Sequence, residues 1–177
     1  MNKDLALEQI PAHGGRLVNR LLEGATRDQL LSRAVEMKKL ALTRRKLCDL
    51  EMLAVGAYSP LEGYMGRKAY ESVVTDMRLP DGLPWSIPIT FRVDKKTGET
   101  LREGQDIALV DETQTVLAVL HLEQKYDFDK KVAAKAVYRT DSAEHPGVDI
   151  LYKRGDVLLS GPVSVLRLPD NRDFLSR

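Results

Sequence analysis

The residues best suited to chemistry in this 177-residue sequence are three histidines, one cysteine and a short basic cluster. His13, His121 and His145 are far apart, so no pair has the spacing that places two imidazoles on one helix face. The sequence contains no Gly-x-x-x-x-Gly-Lys-Ser/Thr loop, no Gly-x-Gly-x-x-Gly and no Gly-x-Ser-x-Gly elbow. It therefore predicts no catalytic, cofactor-binding or metal-binding residue on this chain.

The basic cluster Arg44–Lys46 falls in the first turn of a predicted helix, where the helix dipole disfavours cations. One interpretation is a solvated helix start, and the other is a contact with an anion or a partner. Asp49 and Glu51, on the same helix, are expected to cap it or to pair with this cluster. Cys48 lies among apolar helix positions, which favours a buried, inert thiol over a reactive nucleophile.

Charge and composition narrow the class of protein. Lys and Arg number 27 against 26 Asp and Glu, and this net charge of +1 argues against a dedicated nucleic-acid binder. A single cysteine excludes an intramolecular disulfide and a cysteine-cluster metal site. No apolar run approaches the ~20 residues of a membrane span, and the N-terminus has no signal-peptide core. These features predict a cytoplasmic protein without a membrane partner.

Helical periodicity predicts most of the helices in the first half of the chain. A capping box, Thr26-x-x-Gln29, is expected to start the first helix, Thr43 to cap the second and Asp129 to cap the fourth. Val148, Leu151 and Tyr152 suggest one or two further turns. The predicted helices cover residues 27–38, 44–55, 67–77 and 130–137.

Strand signals gather after residue 86. The clearest strand alternates from Ile87 to Val93, and residues 107–110 and 116–122 are predicted to form an antiparallel hairpin. Residues 94–98 are predicted to be a turn, and Leu40–Leu42 a short strand. Two final strands, 157–159 and 163–166, are expected to be separated by Ser160-Gly161-Pro162. Without a regular βαβ alternation, this order indicates an α+β fold: a small, partly closed, mostly antiparallel β-barrel decorated with helices.

The stretch Asp49–Gly66 joins two predicted helices through an apolar loop. Gly56 follows the helix, where a residue with positive φ is expected, and Ser59-Pro60 cannot continue it. Because the loop is apolar, it is expected to pack between the helices and the rest of the fold.

Seven stretches of this sequence carry a further signal because they occur together and in order. They are His13-Gly14-Gly15 with Leu17-Val18, Asp49–Gly66, Met77-Arg78-Leu79 with Gly82 and Trp85, Pro88-Ile89-Thr90, Gly104–Asp111, Tyr126–Lys130, and His145-Pro146-Gly147-Val148. Together they resemble the N-terminal domain of ATP sulfurylase (sulfate adenylyltransferase), from about His13 to Leu166.

That resemblance implies a PUA-like domain over residues 1–168, followed by the start of a linker at 169–177. It also implies that the catalytic domain is absent, because its Gln-x-Arg-Asn-Pro and His-x-x-His motifs do not occur here. The full enzyme would use ATP, with magnesium, and sulfate, and would serve sulfur metabolism such as sulfate assimilation. This chain alone is expected to be inactive, and the catalytic domain is its expected partner; a homo-oligomer stays open.

The candidate contacts with the catalytic domain come from the apolar loop and from the motif that begins at the third histidine, His145. They are Tyr58, Leu61, Tyr64, Met65, His145, Pro146 and Gly147. Packing of both segments inside this domain is the alternative. Two other functions also stay open at this stage: a PUA-like RNA-binding module and a free-standing binder of small anions.

Overall fold

One long strand, β7 (Val157–Val165), organises the sheet in the computed structural model, which describes residues 10–169. The other strands that it describes are β1 (Lys38–Ala41), β2 (Gly63–Tyr64), β3 (Phe91–Val93), β4 (Asp106–Val110), β5 (Val116–His121) and β6 (Gln124–Asp127). The helices are α1 (Gly24–Ala34), α2 (Arg44–Ala54), α3 (Arg67–Asp76), α4 (Lys95–Glu99), α5 (Lys130–Tyr138) and α6 (Pro146–Lys153).

Strand β7 exchanges partners along its length. Its first residues pair with β3 on one edge and β6 on the other, Gly161 and Pro162 pair with β2, and Val163–Val165 pair with β5. All four pairings are antiparallel, and the sheet continues through β4 to β1, which is parallel to β4. A strand that changes neighbours in this way curls the sheet into a half-barrel. The predicted α+β class, with a mostly antiparallel sheet and added helices, is confirmed.

The break predicted at Ser160-Gly161-Pro162 is wrong, because β7 runs through it. Gly161 has a φ of 142°, and a Cβ there would lie 1.9 Å from the His121 carbonyl oxygen. The glycine therefore permits a close approach between two backbones inside a strand. In the sequence, a glycine that serves such an approach looks the same as one that serves a turn.

Three other boundary predictions need correction. The strand predicted from Ile87 is regular only at β3, since Pro88 cannot donate a ladder hydrogen bond. The turn at 94–98 is the short helix α4, whose N-cap Asp94 accepts a bond from the Thr97 amide. The capping box at Thr26 is wrong because α1 already begins at Gly24 and carries no side-chain cap. That helix ends at Ala34, short of the predicted residue 38, because Lys38 already belongs to β1 and pairs with β4.

The core lies between the sheet and helices α2 and α3. Strands β4 and β5 are buried almost throughout, so both faces of this hairpin are covered, and the predicted antiparallel pairing is confirmed. The buried residues of α2 are Leu50, Leu53 and Ala54. Cys48 lies off this stripe and is exposed, so the predicted buried thiol is wrong.

Thr43 is the N-cap residue of α2 but makes no side-chain capping bond, whereas Asp129 accepts bonds from the Lys131 and Val132 amides. Gly56 has the expected positive φ of 78°. The proposed linker at 169–177 lies outside the described residues apart from Pro169. Within residues 10–169, no helix is both long and apolar enough to cross a bilayer.

Candidate anion-binding cleft

A cleft of about 640 Å³ opens between α2, the irregular segment 84–90 and the facing ends of α5 and α6. Its volume lies within the range of small-molecule sites. Part of the wall is apolar, with Trp85, Ile87 and Pro88 from the segment and Leu151 from α6. The irregular stretch that breaks the predicted strand therefore forms one side of the cleft.

Four cationic side chains line this cleft, and they come from three parts of the chain: Arg45 and Lys46 from α2, Arg92 from β3, and Arg154 from the end of α6. Asp49 is the one carboxylate among the described lining residues, so the lining carries a formal charge of +3 in a chain whose total is +1. Within residues 10–169, none of the four cations forms an ion pair with a carboxylate.

The Lys46 ammonium is partly buried in this cleft. Burial, and secondarily the charge of Arg154, lowers the pKa of Lys46 from 10.5 to about 8. Its ammonium lies 3.9 Å from the centre of the Phe91 ring and donates a 2.9 Å hydrogen bond to the Arg92 carbonyl oxygen. These contacts hold the ammonium in place without removing the cost of burying its charge.

Asp49 lies one helical turn after Arg45 on α2 and is hydrogen-bonded to the apolar loop. The Tyr58 hydroxyl donates a 3.1 Å hydrogen bond to Asp49 Oδ1. Burial raises the pKa of the Asp49 carboxyl, while the Tyr58 bond and the Arg45 and Arg154 charges act in the other direction. Burial and the Asp49 charge together raise the pKa of Tyr58 to about 12. The Asp49 carboxylate therefore offsets part of the positive charge of Arg45 and Arg154.

Arg92 and Tyr70 form a second polar point on the wall. Burial lowers the pKa of the Arg92 guanidinium, which lies 5.0 Å from the Phe128 ring centre. Tyr70 is only 6% exposed, and its hydroxyl has no hydrogen-bond partner among the described residues. Since a buried hydroxyl is normally bonded, this unpaired group on the wall of a cationic cleft requires an explanation.

Glycines set the distances between the walls. A Cβ on Gly155 would lie 2.1 Å from the Val93 carbonyl oxygen, so this glycine lets the end of α6 approach β3. Lys130 holds the same segment by donating to the carbonyl oxygens of Tyr152 and Arg154. The close approach brings Arg154 near enough to Lys46 to lower its pKa.

The motif His145-Pro146-Gly147 supports another part of the wall, Tyr138. The His145 ring packs on Tyr138 with centroids 5.1 Å apart, and its Nδ1 caps α6 by accepting a bond from the Gly147 amide. A Cβ on Gly147 would lie 2.6 Å from the Tyr138 ring, so only glycine permits this contact. His145 and Pro146 are exposed.

The apolar loop contributes to the cleft through Tyr58. The Tyr58 ring contacts Trp85 edge-on with centroids 6.3 Å apart, and His13 packs against the same indole while its Nε2 bonds to the Pro84 carbonyl oxygen. Leu61 is half-buried against the main core. Tyr64 and Met65 are each 3% exposed and lie inside that core. Whether the candidate contacts meet another domain stays a prediction.

Sequence reasoning found part of this cleft and missed the rest. It marked Arg44–Lys46 as an anion contact or a solvated start, and Arg45 and Lys46 do line the cleft. Among residues 10–169, Asp49 is hydrogen-bonded to Tyr58 and forms no ion pair with a basic side chain. Arg92 and Arg154 were missed, since both are distant from residues 44–46 in the sequence and reach the cleft only in the folded chain.

A family model described as "PUA-like domain" matches residues 10–168. The chain therefore belongs to the PUA-like domain family, and the fold class inferred from the sequence is confirmed by this match.

Within that family, the curated relatives point to one kind of protein. The chain is 45% identical over 160 residues to a sulfate adenylyltransferase of Trichodesmium erythraeum, which covers 90% of this chain and 41% of the relative. It is 43% identical over 166 residues to a sulfate adenylyltransferase of Halothermothrix orenii, with 93% and 43% covered. The resemblance to sulfate adenylyltransferases is thus confirmed, and the chain spans about two fifths of the length of these relatives.

A solved structure described as a hexameric APS kinase from Thiobacillus denitrificans is also similar. It has a TM-score of 0.73 and 30% identity, over 95% of this chain and 29% of that chain. The fold of this chain therefore also occurs as part of that longer chain.

Proposed function

We propose that this chain is the non-catalytic PUA-like domain of a sulfate adenylyltransferase, the enzyme that converts ATP and sulfate to adenylyl sulfate and diphosphate. The observation that carries the proposal is the 45% identity to a sulfate adenylyltransferase of which the chain covers 41%. The remaining length of such an enzyme would hold the nucleotide and sulfate, with magnesium. A cytoplasmic location and a role in sulfate assimilation are part of the same proposal.

The domain's role in that enzyme would be to support the catalytic domain and to present contact surface. Tyr58 and Leu61 are half-buried and His145 and Pro146 are exposed, so these four have surface to offer. Tyr64 and Met65 would act from beneath, by holding the loop against the core. Gly147 would act by fixing the packing of His145 on Tyr138.

A domain exchange tests this role directly. This chain would replace the matching segment of the Trichodesmium erythraeum sulfate adenylyltransferase, and sulfate-dependent diphosphate release from ATP would be measured. We expect the chimera to retain activity because the contact surface is preserved, whereas a chimera carrying an unrelated PUA-like domain loses it. A soluble, folded chimera without activity, beside an active parent, would contradict the proposal.

An activity assay on the isolated chain complements the domain exchange. Purified residues 1–177, incubated with ATP, magnesium and sulfate, are expected to release no diphosphate above a blank without sulfate. Sulfate-dependent turnover by this chain alone would show that it is a catalytic unit.

RNA binding is the second candidate function, because the cations of the cleft could contact phosphodiester groups. Lys38 and Lys39 lie elsewhere, on β1, where the Lys38 ammonium bonds to the Thr100 carbonyl oxygen. The overall charge of +1 offers no extended basic face. A submicromolar affinity for RNA that falls steeply with salt would establish this function.

A further inference from the structure

We propose that the cleft lined by Arg45, Lys46, Arg92 and Arg154 binds a small phosphorylated ligand with a planar ring, of the nucleoside diphosphate class. This site belongs to the PUA-like domain itself, and its test does not depend on the proposed function.

The positive charge of the cleft favours an anionic ligand. Four cations and one carboxylate give the described lining a formal charge of +3, and none of the cations is in an ion pair among residues 10–169. Like charges gathered in a partly desolvated cleft repel one another, and an anion placed among them removes that repulsion. A ligand carrying about three negative charges, as a nucleoside diphosphate does, matches the charge of the lining.

The dipole of α2 adds to this field. Thr43, the N-cap residue, and Arg45 and Lys46 in the first turn all line the cleft, so the positive end of an 11-residue helix faces it. Thr43 makes no side-chain capping bond, and its side chain is exposed at the cleft.

The unpaired Tyr70 hydroxyl is an independent observation. It is buried on the wall of the cleft and lacks a partner in the described part of the chain. The charge of Arg92 acts on this hydroxyl, lowering its pKa against the larger effect of burial. An anionic oxygen beside Arg92 is the kind of acceptor that would satisfy such a donor after a small adjustment of the wall.

The other lining residues favour a ring on the ligand. Trp85, Tyr58 and Tyr138 are half-buried and line the cleft, with Ile87, Pro88 and Leu151 beside them. Aromatic and apolar surface of this kind contributes binding energy only to a ligand that has a flat apolar part. Inorganic anions alone would leave it unused.

The sole tryptophan of the chain makes the test direct, because Trp85 lies in the cleft. Its fluorescence, excited at a wavelength where adenine does not absorb, would be followed while the purified chain is titrated with ADP, adenosine or inorganic diphosphate. We expect ADP to bind at least about tenfold more tightly than either part alone, since the charged and apolar surfaces act together.

Variants locate the site. Arg154→Gln and Arg45→Gln remove exposed charges that make no ion pair within residues 10–169, so the fold should be kept, and each should weaken ADP binding about tenfold. Arg102→Gln, an exposed arginine outside the cleft, is the matched control and should leave the affinity unchanged. Circular dichroism would verify that all three are folded.

Four results would overturn the proposal. They are no binding of ADP up to millimolar concentration, equal affinity for ADP and inorganic diphosphate, equal effects of Arg154→Gln and Arg102→Gln, and tighter binding of a single-stranded RNA than of ADP. The last result would assign the cleft to RNA.

Discussion

Lys46→Met should change how the stability of this domain depends on pH. The Lys46 pKa is about 8 in the folded chain and 10.5 in an ordinary environment. Below pH 8 the ammonium is protonated in both states, and the folded state bears the cost of burying it. Between pH 8 and 10.5 the unfolded chain binds more protons than the folded chain, so the free energy of unfolding rises with pH.

The magnitude follows from the two pKa values. One pKa unit corresponds to about 1.4 kcal/mol, and integration from pH 7 to pH 9.5 gives a gain of about 2 kcal/mol for the wild type. Lys46→Met lacks this titration, so the difference in unfolding free energy between the two proteins should shift by that amount in favour of the wild type. Arg154, Arg92 and Asp49 line the cleft in both proteins, so the comparison cancels their charges to first order.

Urea unfolding, followed by circular dichroism at pH 7.0, 8.0, 9.0 and 9.5 with a thiol reductant present, measures this difference. Lys68→Met, an exposed lysine on α3, is the control and should track the wild type at every pH. Parallel pH profiles for the wild type and Lys46→Met would refute the reasoning, because they would show that the ammonium is not desolvated. An anion bound in the cleft should also reduce the wild-type slope, since it raises the Lys46 pKa.

Three further predictions concern the stability of the fold, each measured as the change in urea unfolding free energy at pH 7. Asp129→Ala should lower the unfolding free energy by about 1 kcal/mol because it removes the cap of α5. Thr43→Ala should leave the unfolding free energy nearly unchanged because that side chain makes no capping bond. Equal losses for the two variants would contradict this prediction. Tyr126→Phe should lower the unfolding free energy by about 1–3 kcal/mol, because the lost hydroxyl donates a buried 2.7 Å bond to a carbonyl oxygen. Tyr64→Phe removes a hydroxyl without a described partner and should leave the unfolding free energy unchanged or raise it. Gly147→Ala should cost about 1–3 kcal/mol through overlap with the ring behind it, and no loss would mean that this ring moves aside freely.

Local signals identified most elements of the fold. The helices near residues 44–55 and 67–77 and the hairpin of β4 and β5 follow from apolar spacing, because each element buries a regular face. Errors arose where a long-range contact decided the outcome. Gly161 resembles a turn signal but permits a close backbone approach, and the helix predicted to residue 38 ends at Ala34, with Lys38 already in the strand that pairs with β4.

The sequence likewise indicated only some of the cationic residues of the candidate site. The basic residues at the start of α2 stand out in the sequence because three cations in a first turn oppose the helix dipole. Arg92 and Arg154 are distant from that cluster in the sequence and line the same cleft only in the folded chain, where Gly155 lets the end of α6 approach β3.

The sequence by itself determined the α+β class, the main helices and the membership in a family, because periodicity and ordered motifs are properties of the chain. Tertiary structure alone decided the partners of β7 and the gathering of four cations around one cleft. The physical reason is that a glycine's missing Cβ and a cation's burial acquire meaning only from the atoms that other segments bring against them.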